Sequence, residues 1–164
     1  MKQVLMLIIL AMVMVFPLSA SEKSAAQLDK DKEAVKQAAL DYFLGYYEGK
    51  AEREERAMHP ELVKRSFMIL PQTGKGFLRG IGKSAMVEYS RAGFGKKQAA
   101  DKGEIKITVF EVFRNTASAL VVSNHYHDYI HLVKDNGKWQ IVNVLWEPTP
   151  PPPPPKKEDK KEQK

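Results

Sequence analysis

Four histidines, two tyrosines one helical turn apart and a Lys-Arg pair are the residues of this chain whose types could do chemistry. His125, His127 and His131 alternate with other residues along one extended run, with Tyr129 among them, so on a strand all four share a face. Two histidines at i and i+2 can bind zinc. His131, at ~3.3 Å per residue, lies ~13 Å beyond His127, too far for the same ion. The chain has no cysteine to complete a site, so no metal and no cofactor is expected. His131 stands between Ile130 and Leu132 and is expected at a buried position. There it is either a satisfied core residue or a hydrogen-bond donor or general base tuned toward neutrality. His59 precedes Pro60 at a predicted helix end, where its ring suits the negative end of the helix dipole.

Tyr42 and Tyr46 fall on one stripe with Val35 and Ala39. If that stripe faces a sheet, their hydroxyls can either bond a ligand or serve as the polar tips of core aromatics. Lys64 and Arg65 alternate in direction on a strand, so at most one points inward. An inward Arg65 suits an anionic ligand; otherwise the pair is solvated. Asn143 interrupts an apolar face and needs a partner there, whether ligand, water or protein. No Ser-His-acid order, phosphate-cradling loop or helix with paired metal ligands is found. The Gly-rich run GKGFLRGIGK lacks both the preceding strand and the spacing of a nucleotide site.

These residues need elements to position them. From Asp31 the apolar residues recur at helical spacing, and Gly49 suits a left-handed cap after that helix. Ala51 to Met58 reads as a short charged helix burying Ala51, Ala57 and Met58. Leu62 to Leu70 reads as a strand, Pro71 to Gly82 as a loop, Lys83 to Ala92 as a third helix and Phe94 to Lys102 as another loop. Glu104 to Phe113 alternates as a strand, with Ile105, Ile107, Val109 and Phe113 on one face and Glu111 as the exception. Ala117 to Asn124 returns after an Arg114-Asn115-Thr116 turn.

Asn136-Gly137 between two apolar, β-branched runs predicts a type I′ hairpin. A two-residue loop pairs Leu132 with Ile141 and His131 with Val142; a three-residue loop moves His131 to the other face relative to Trp139. The two-residue loop is preferred because it clusters Trp139, Ile141, Ile130 and Leu132. On the last strand simple alternation sends Trp139, Ile141 and Leu145 one way and Val142, Val144 and Trp146 the other. A sheet apolar on both sides needs two covers, which helices on one side and a second subunit on the other can supply. Helices followed by strands predict one α+β domain.

The ends read differently. Residues 1–21 carry Lys2, an apolar run from Val4 to Phe16, then Pro17 and small residues, the pattern of a secretory signal peptide. The apolar run is shorter than the ~20 residues that span a bilayer. The mature chain is therefore expected to be exported, periplasmic or secreted, with no integral membrane segment. Residues 22–30 read as a loose lead-in, 31–148 as the domain, and 149–164 as a disordered tail of consecutive prolines followed by a charged end. Part of the net charge of +6 lies outside the domain, in Lys2 and the Lys-rich end. The domain itself is only weakly basic, and no Lys/Arg run interleaves with aromatics, so nucleic acid is not an expected partner.

The runs GYYEGKAERE (45–54), MHPELVKRS (58–66) and DYIHLVKDNGKWQIVNVLWEP (128–148) together resemble the nuclear-transport-factor-2-like (NTF2-like) superfamily, in its branch described as putative lumazine-binding. The resemblance covers roughly Lys32 to Pro148 and implies a cone, with three helices against a strongly curved antiparallel sheet. It also implies a pocket between the two layers and a homodimer through the sheet. The family motif places His59 near the pocket mouth. The candidate pocket residues are Tyr42, Tyr46, His59, Arg65, His131, Asn143 and Trp146. Three functions follow as expectations. The first is non-catalytic binding of a small apolar or aromatic ligand. The second is a ketosteroid-isomerase-like lyase or isomerase with a His base and a Tyr oxyanion donor. The third is a structural or protein-interaction module.

Overall fold

The computed structural model describes residues 24–150. Residues 1–21, expected as a signal peptide, and residues from 151, expected as a tail, lie outside the described residues. The chain opens with α1 (Ala25–Glu48), then α2 (Ala51–Ala57), β1 (Met58–Leu70), β2 (Lys75–Gly82) and α3 (Lys83–Arg91). A 3-10 segment at Phe94–Asp101 leads into β3 (Lys106–Phe113), β4 (Thr116–Val122), β5 (Tyr126–Asp135) and β6 (Lys138–Pro148). The six strands form one open, curved sheet in the order β2-β1-β6-β5-β4-β3. Every neighbouring pair is antiparallel except β1–β6, which is parallel. The helices cover the concave face.

Residues 25–30, expected as a loose lead-in, are instead the opening turns of α1. Ser24 caps them, its Oγ accepting from the Gln27 N–H at 3.2 Å. At the other end Gly49 is left-handed (φ 64°), and the Lys50 N–H reaches the Gly45 carbonyl at 2.8 Å, which closes the helix as a Schellman motif. Asp31 ties α1 to the β5–β6 hairpin, accepting from Lys134 Nζ at 2.7 Å and Trp139 Nε1 at 3.0 Å. Gly45 lets α2 approach closely, since a Cβ there would meet the Glu54 backbone N at 2.5 Å.

The stretch read as a loop over 71–82 is a loop only to Gly74. From Lys75 it pairs with β1, with Leu70 opposite Lys75 and Val63 opposite Gly82. Its glycines hide the alternation of a strand, and Gly76 leaves the space that the Phe67 ring fills across the pair. Residues 94–102, also read as a loop, are mostly the 3-10 segment. Thr149, assigned to the tail, is tied to the β4–β5 connection, donating from N to the His125 carbonyl and from Oγ1 to the Ser123 carbonyl.

Two bulges reset which side chains face inward. In β3 Phe110 is the extra residue between the pairs Val109–Ala119 and Glu111–Ser118. Val112 thereby joins Ile107 and Val109 on the core side, while Glu111 and Phe113 turn outward, which accounts for the Glu111 exception. In β6 Val142 is the extra residue. The two-residue Asn136-Gly137 loop (φ 47° and 78°) pairs Leu132 with Ile141, but His131 meets Asn143 rather than Val142. Simple alternation along β6 therefore fails. Trp139, Ile141, Val144 and Trp146 all face the helices, and Val142 and Leu145 turn out. β1 loops out at the same level, between Met58–Ile141 and Val63–Asn143, where Pro60 has no N–H for a ladder.

Candidate functional site

The same register that buries Ile130 and Leu132 also buries Asp128 on β5. On β1 Leu62, Lys64 and Ser66 share the inward side, and Arg65 points out. Lys64 Nζ donates to Asp128 Oδ2 at 2.7 Å and to the Tyr42 hydroxyl at 2.8 Å. It also lies 4.9 Å from the centroid of the Trp146 ring and within 5.5 Å of those of Tyr42 and Tyr126, so aromatic faces complete the ammonium's surroundings. Lys64 is 8% exposed and Asp128 fully buried.

This cluster closes one side of a cavity of about 420 Å³ between the helices and strands β1, β2, β5 and β6. Tyr42, Phe43, Tyr46, Tyr89, Phe94, Tyr126 and Trp146 supply aromatic walls, with Ile81 and Met86. Lys64, Ser66 and Arg79 supply the remaining polarity. The Tyr126 hydroxyl donates to Gln98 Oε1 at 2.7 Å and lies 3.4 Å from the Tyr46 hydroxyl. Gly95 allows the 3-10 segment to lie against the Tyr46 carbonyl, 2.3 Å from where a Cβ would be. Gln98 is thereby held at one side of the cavity.

A second carboxyl lies behind the first. Glu54 on α2 is fully buried, and neither of its oxygens has a hydrogen-bond partner among the described residues; Asp128 Oδ1 lacks one as well. Burial pushes Glu54 up to about 8. Ser90, whose hydroxyl donates instead to the Gly45 carbonyl at 3.0 Å, and the Lys64 charge offset only part of that. Glu54 is thus a neutral acid at pH 7. Burial also raises Asp128, against the pull of Lys64 and Tyr42. Tyr42 is held well above its ordinary value by burial and then by Asp128. The site presents one ammonium, one carboxylate bonded to it, and a surround of neutral hydroxyls.

Of the residues picked out from the sequence, Tyr42, Tyr46 and Trp146 line this cavity. The other four do not. Arg65 donates to Asn143 Oδ1 at 2.9 Å, and Asn143 Nδ2 lies 3.2 Å from His131 Nδ1, a polar row on the convex face. His131, expected to be buried, is exposed because the neighbours that flank it in sequence point to the other face. Asn143 finds its partner there in protein. His59 accepts from the Glu61 N–H at 3.1 Å and lies 3.9 Å from Asp135, in the β1 loop-out away from the cavity. His125 contacts Asp101 at 3.0 Å, and the His127 ring lies 5.3 Å from that of Tyr129, tilted at 51°, on the convex face. Among the described residues no three His, Asp or Glu side chains gather as a metal site. Sequence reasoning missed Asp128, Glu54, Ser66 and Arg79, and passed over Lys64 in favour of Arg65. Parity held a signal for two of them: Asp128 alternates with Ile130 and Leu132, and Lys64 with Leu62.

The family described as putative lumazine-binding matches residues 30–147. The chain belongs to that family. Solved structures with the same fold include an NTF2-like protein of unknown function from Shewanella baltica, with a TM-score of 0.60 and 16% identity over 79% of this chain and 99% of that one. Another is an NTF2-like protein with a cystatin-like fold from Novosphingobium aromaticivorans, with a TM-score of 0.53 and 15% identity over 74% of this chain and 83% of that one. Among curated proteins none matches this chain. This member of the family therefore has an NTF2-like fold, with a cavity where helices and sheet diverge.

Two outcomes follow from the buried charges. Lys64→Met alone strands Asp128 and should lower stability by about 3–5 kcal/mol, whereas the double change with Asp128→Leu should recover most of the loss; urea midpoints of the two variants check this. Glu54 keeps its proton in the folded chain above the ordinary carboxyl value of 4.5, where the unfolded chain has lost it, so stability should fall as pH rises toward about 8. Glu54→Gln should remove that part of the slope, on the order of a few kcal/mol, leaving a fall of the same sign from Asp128, whose burial also raises it. Urea unfolding of both chains at acid and alkaline pH measures it.

Proposed function

We propose that the domain binds a small, flat, apolar or aromatic molecule in the cavity and performs no chemistry on it. The observation that carries this is the lining: seven of the twelve cavity residues are aromatic, and the ammonium among them is already matched by Asp128. Such walls favour stacked rings. Lys64, Ser66 and Arg79 mark the end where a carbonyl or an anionic group of the ligand would sit. The family description makes lumazine, a flat heteroaromatic, the first molecule to try. A His-based lyase or isomerase has less support, because no histidine lines the cavity among the described residues. Export through residues 1–21 belongs to the same proposal, as does a homodimer that covers the convex face. That face exposes Phe113, Tyr129 and Leu145, the last two paired across β5 and β6. No helix among the described residues is long and apolar enough to cross a membrane.

Native mass spectrometry of protein taken from its own host should show a small molecule travelling with the chain. Titration with lumazine and other flat aromatics should quench Trp146 saturably, and Trp146→Ala should weaken that binding by about tenfold or more. Absence of both a co-purified mass and saturable quenching across the panel would end the binding proposal. The dimer is tested separately: Tyr129→Glu with Leu145→Glu should convert a dimer on gel filtration to a monomer, and a wild-type monomer at micromolar concentration would refute it.

A further inference from the structure

The β1–β2 hairpin ends in large apolar side chains that the described residues leave between 39% and 63% exposed. β2 is an edge strand with β1 as its only neighbour in the sheet, and β1 keeps β6 beside it only as far as Ser66–Trp146. Past that level the ribbon projects alone. It carries Phe67, Ile69 and Leu78 on one face and Met68, Leu70 and Phe77 on the other, with exposures of 63% at Ile69 and 61% at Leu78. An edge ribbon normally carries charge or proline to discourage contact; here the apolar residues fill both faces.

Two-sidedness narrows what can cover it. A protein partner, or a second copy on the convex face, would bury one face and leave the other in water. A lipid layer surrounds an inserted tip on both faces at once. The charge points the same way. From Leu62 to Val87 the chain has Lys64, Arg65, Lys75, Arg79 and Lys83 and no carboxylate. Lys75 and Arg79 make no ion pair among the described residues, and both flank the apolar tip. Basic residues around an inserted apolar element are the arrangement that holds a peripheral protein on an anionic bilayer.

We propose that the β1–β2 hairpin docks the domain on an anionic lipid surface, the apolar tip entering the headgroup boundary and Lys75, opposite Leu70 at that tip, meeting lipid phosphates. The proposal does not rest on the ligand reading, although Ser66, Arg79 and Ile81 belong to the same hairpin and line the cavity, so docking would bring the cavity close to the lipid.

Co-sedimentation of the full chain with phosphatidylglycerol–phosphatidylcholine vesicles tests it, against vesicles of phosphatidylcholine alone. The wild type should pellet with the anionic vesicles and be released by salt. Ile69→Ser with Leu78→Ser should weaken binding by about tenfold, and Lys75→Glu should weaken it too, each with an unchanged thermal melt because these side chains are exposed. Phe77→Trp should gain a blue-shifted emission, above the wild-type signal, on mixing with anionic vesicles. Failure of the wild type to pellet overturns the proposal. Undiminished pelleting of the double-serine chain assigns any binding to the Lys-rich tail and overturns it as well. So does the absence of a blue shift at position 77, or a change of the double-serine chain from dimer to monomer, which would make a second copy the occupant.

Discussion

The Lys64–Asp128 bond is the constraint around which the cavity is arranged. A buried ammonium and a buried carboxylate are each costly alone, and their attraction repays desolvation only when geometry and further hydrogen bonds are good. Here the ammonium has a carboxylate oxygen at 2.7 Å, a hydroxyl at 2.8 Å and the face of Trp146. That arrangement sets the position of Tyr42 on α1 relative to β1 and β5, and with it the separation of the helical layer from the sheet. The aromatic side chains around the cavity pack edge to face, Tyr126 against Trp146 at 5.4 Å and against Tyr46 at 6.0 Å.

A carboxyl kept neutral belongs to the same design. A charged Glu54 would compete with Asp128 for the single ammonium in a region that water does not reach. With α2 pressed onto α1 at Gly45, the side chain has no route to the surface, so it keeps its proton instead. The resulting acid is a weak point of the fold, tolerated where two helices cross.

The two bulges convert a regular hairpin meander into a wall with a hollow beside it. Were alternation regular through Val142, with no bulge, Trp139 and Trp146 would lie on opposite faces of β6. With it, Trp139 reaches Asp31 near the start of α1 while Trp146 reaches the cavity. The same bulge gives His131 the outward partner Asn143. One inserted residue thus decides which aromatic rings meet a ligand and which histidine does not.

Local signals in the sequence were enough for much of the fold. The helix ending at Gly49, the Asn136-Gly137 hairpin and the succession of helices before strands each follow from turn chemistry or from the period of apolar residues. The resemblance carried by residues 45–66 and 128–148 pointed to the same architecture. By contrast, the strand at Lys75–Gly82 exists because β1 offers it a partner, a non-local fact that its glycines conceal. Bulges have no signature in alternation; they appear only as exceptions to it, as at Glu111, because the extra residue is set by pairing with the neighbouring strand. The site was legible where a side chain's direction follows from its helix, as for Tyr42 and Tyr46. His131 and Arg65, also candidates, lie on the convex face, and the buried charges are Asp128 and Lys64. Which charges enter the core is decided by tertiary packing, because an ion pair can be buried only when the fold brings its two halves, 64 residues apart in the chain, within bonding distance.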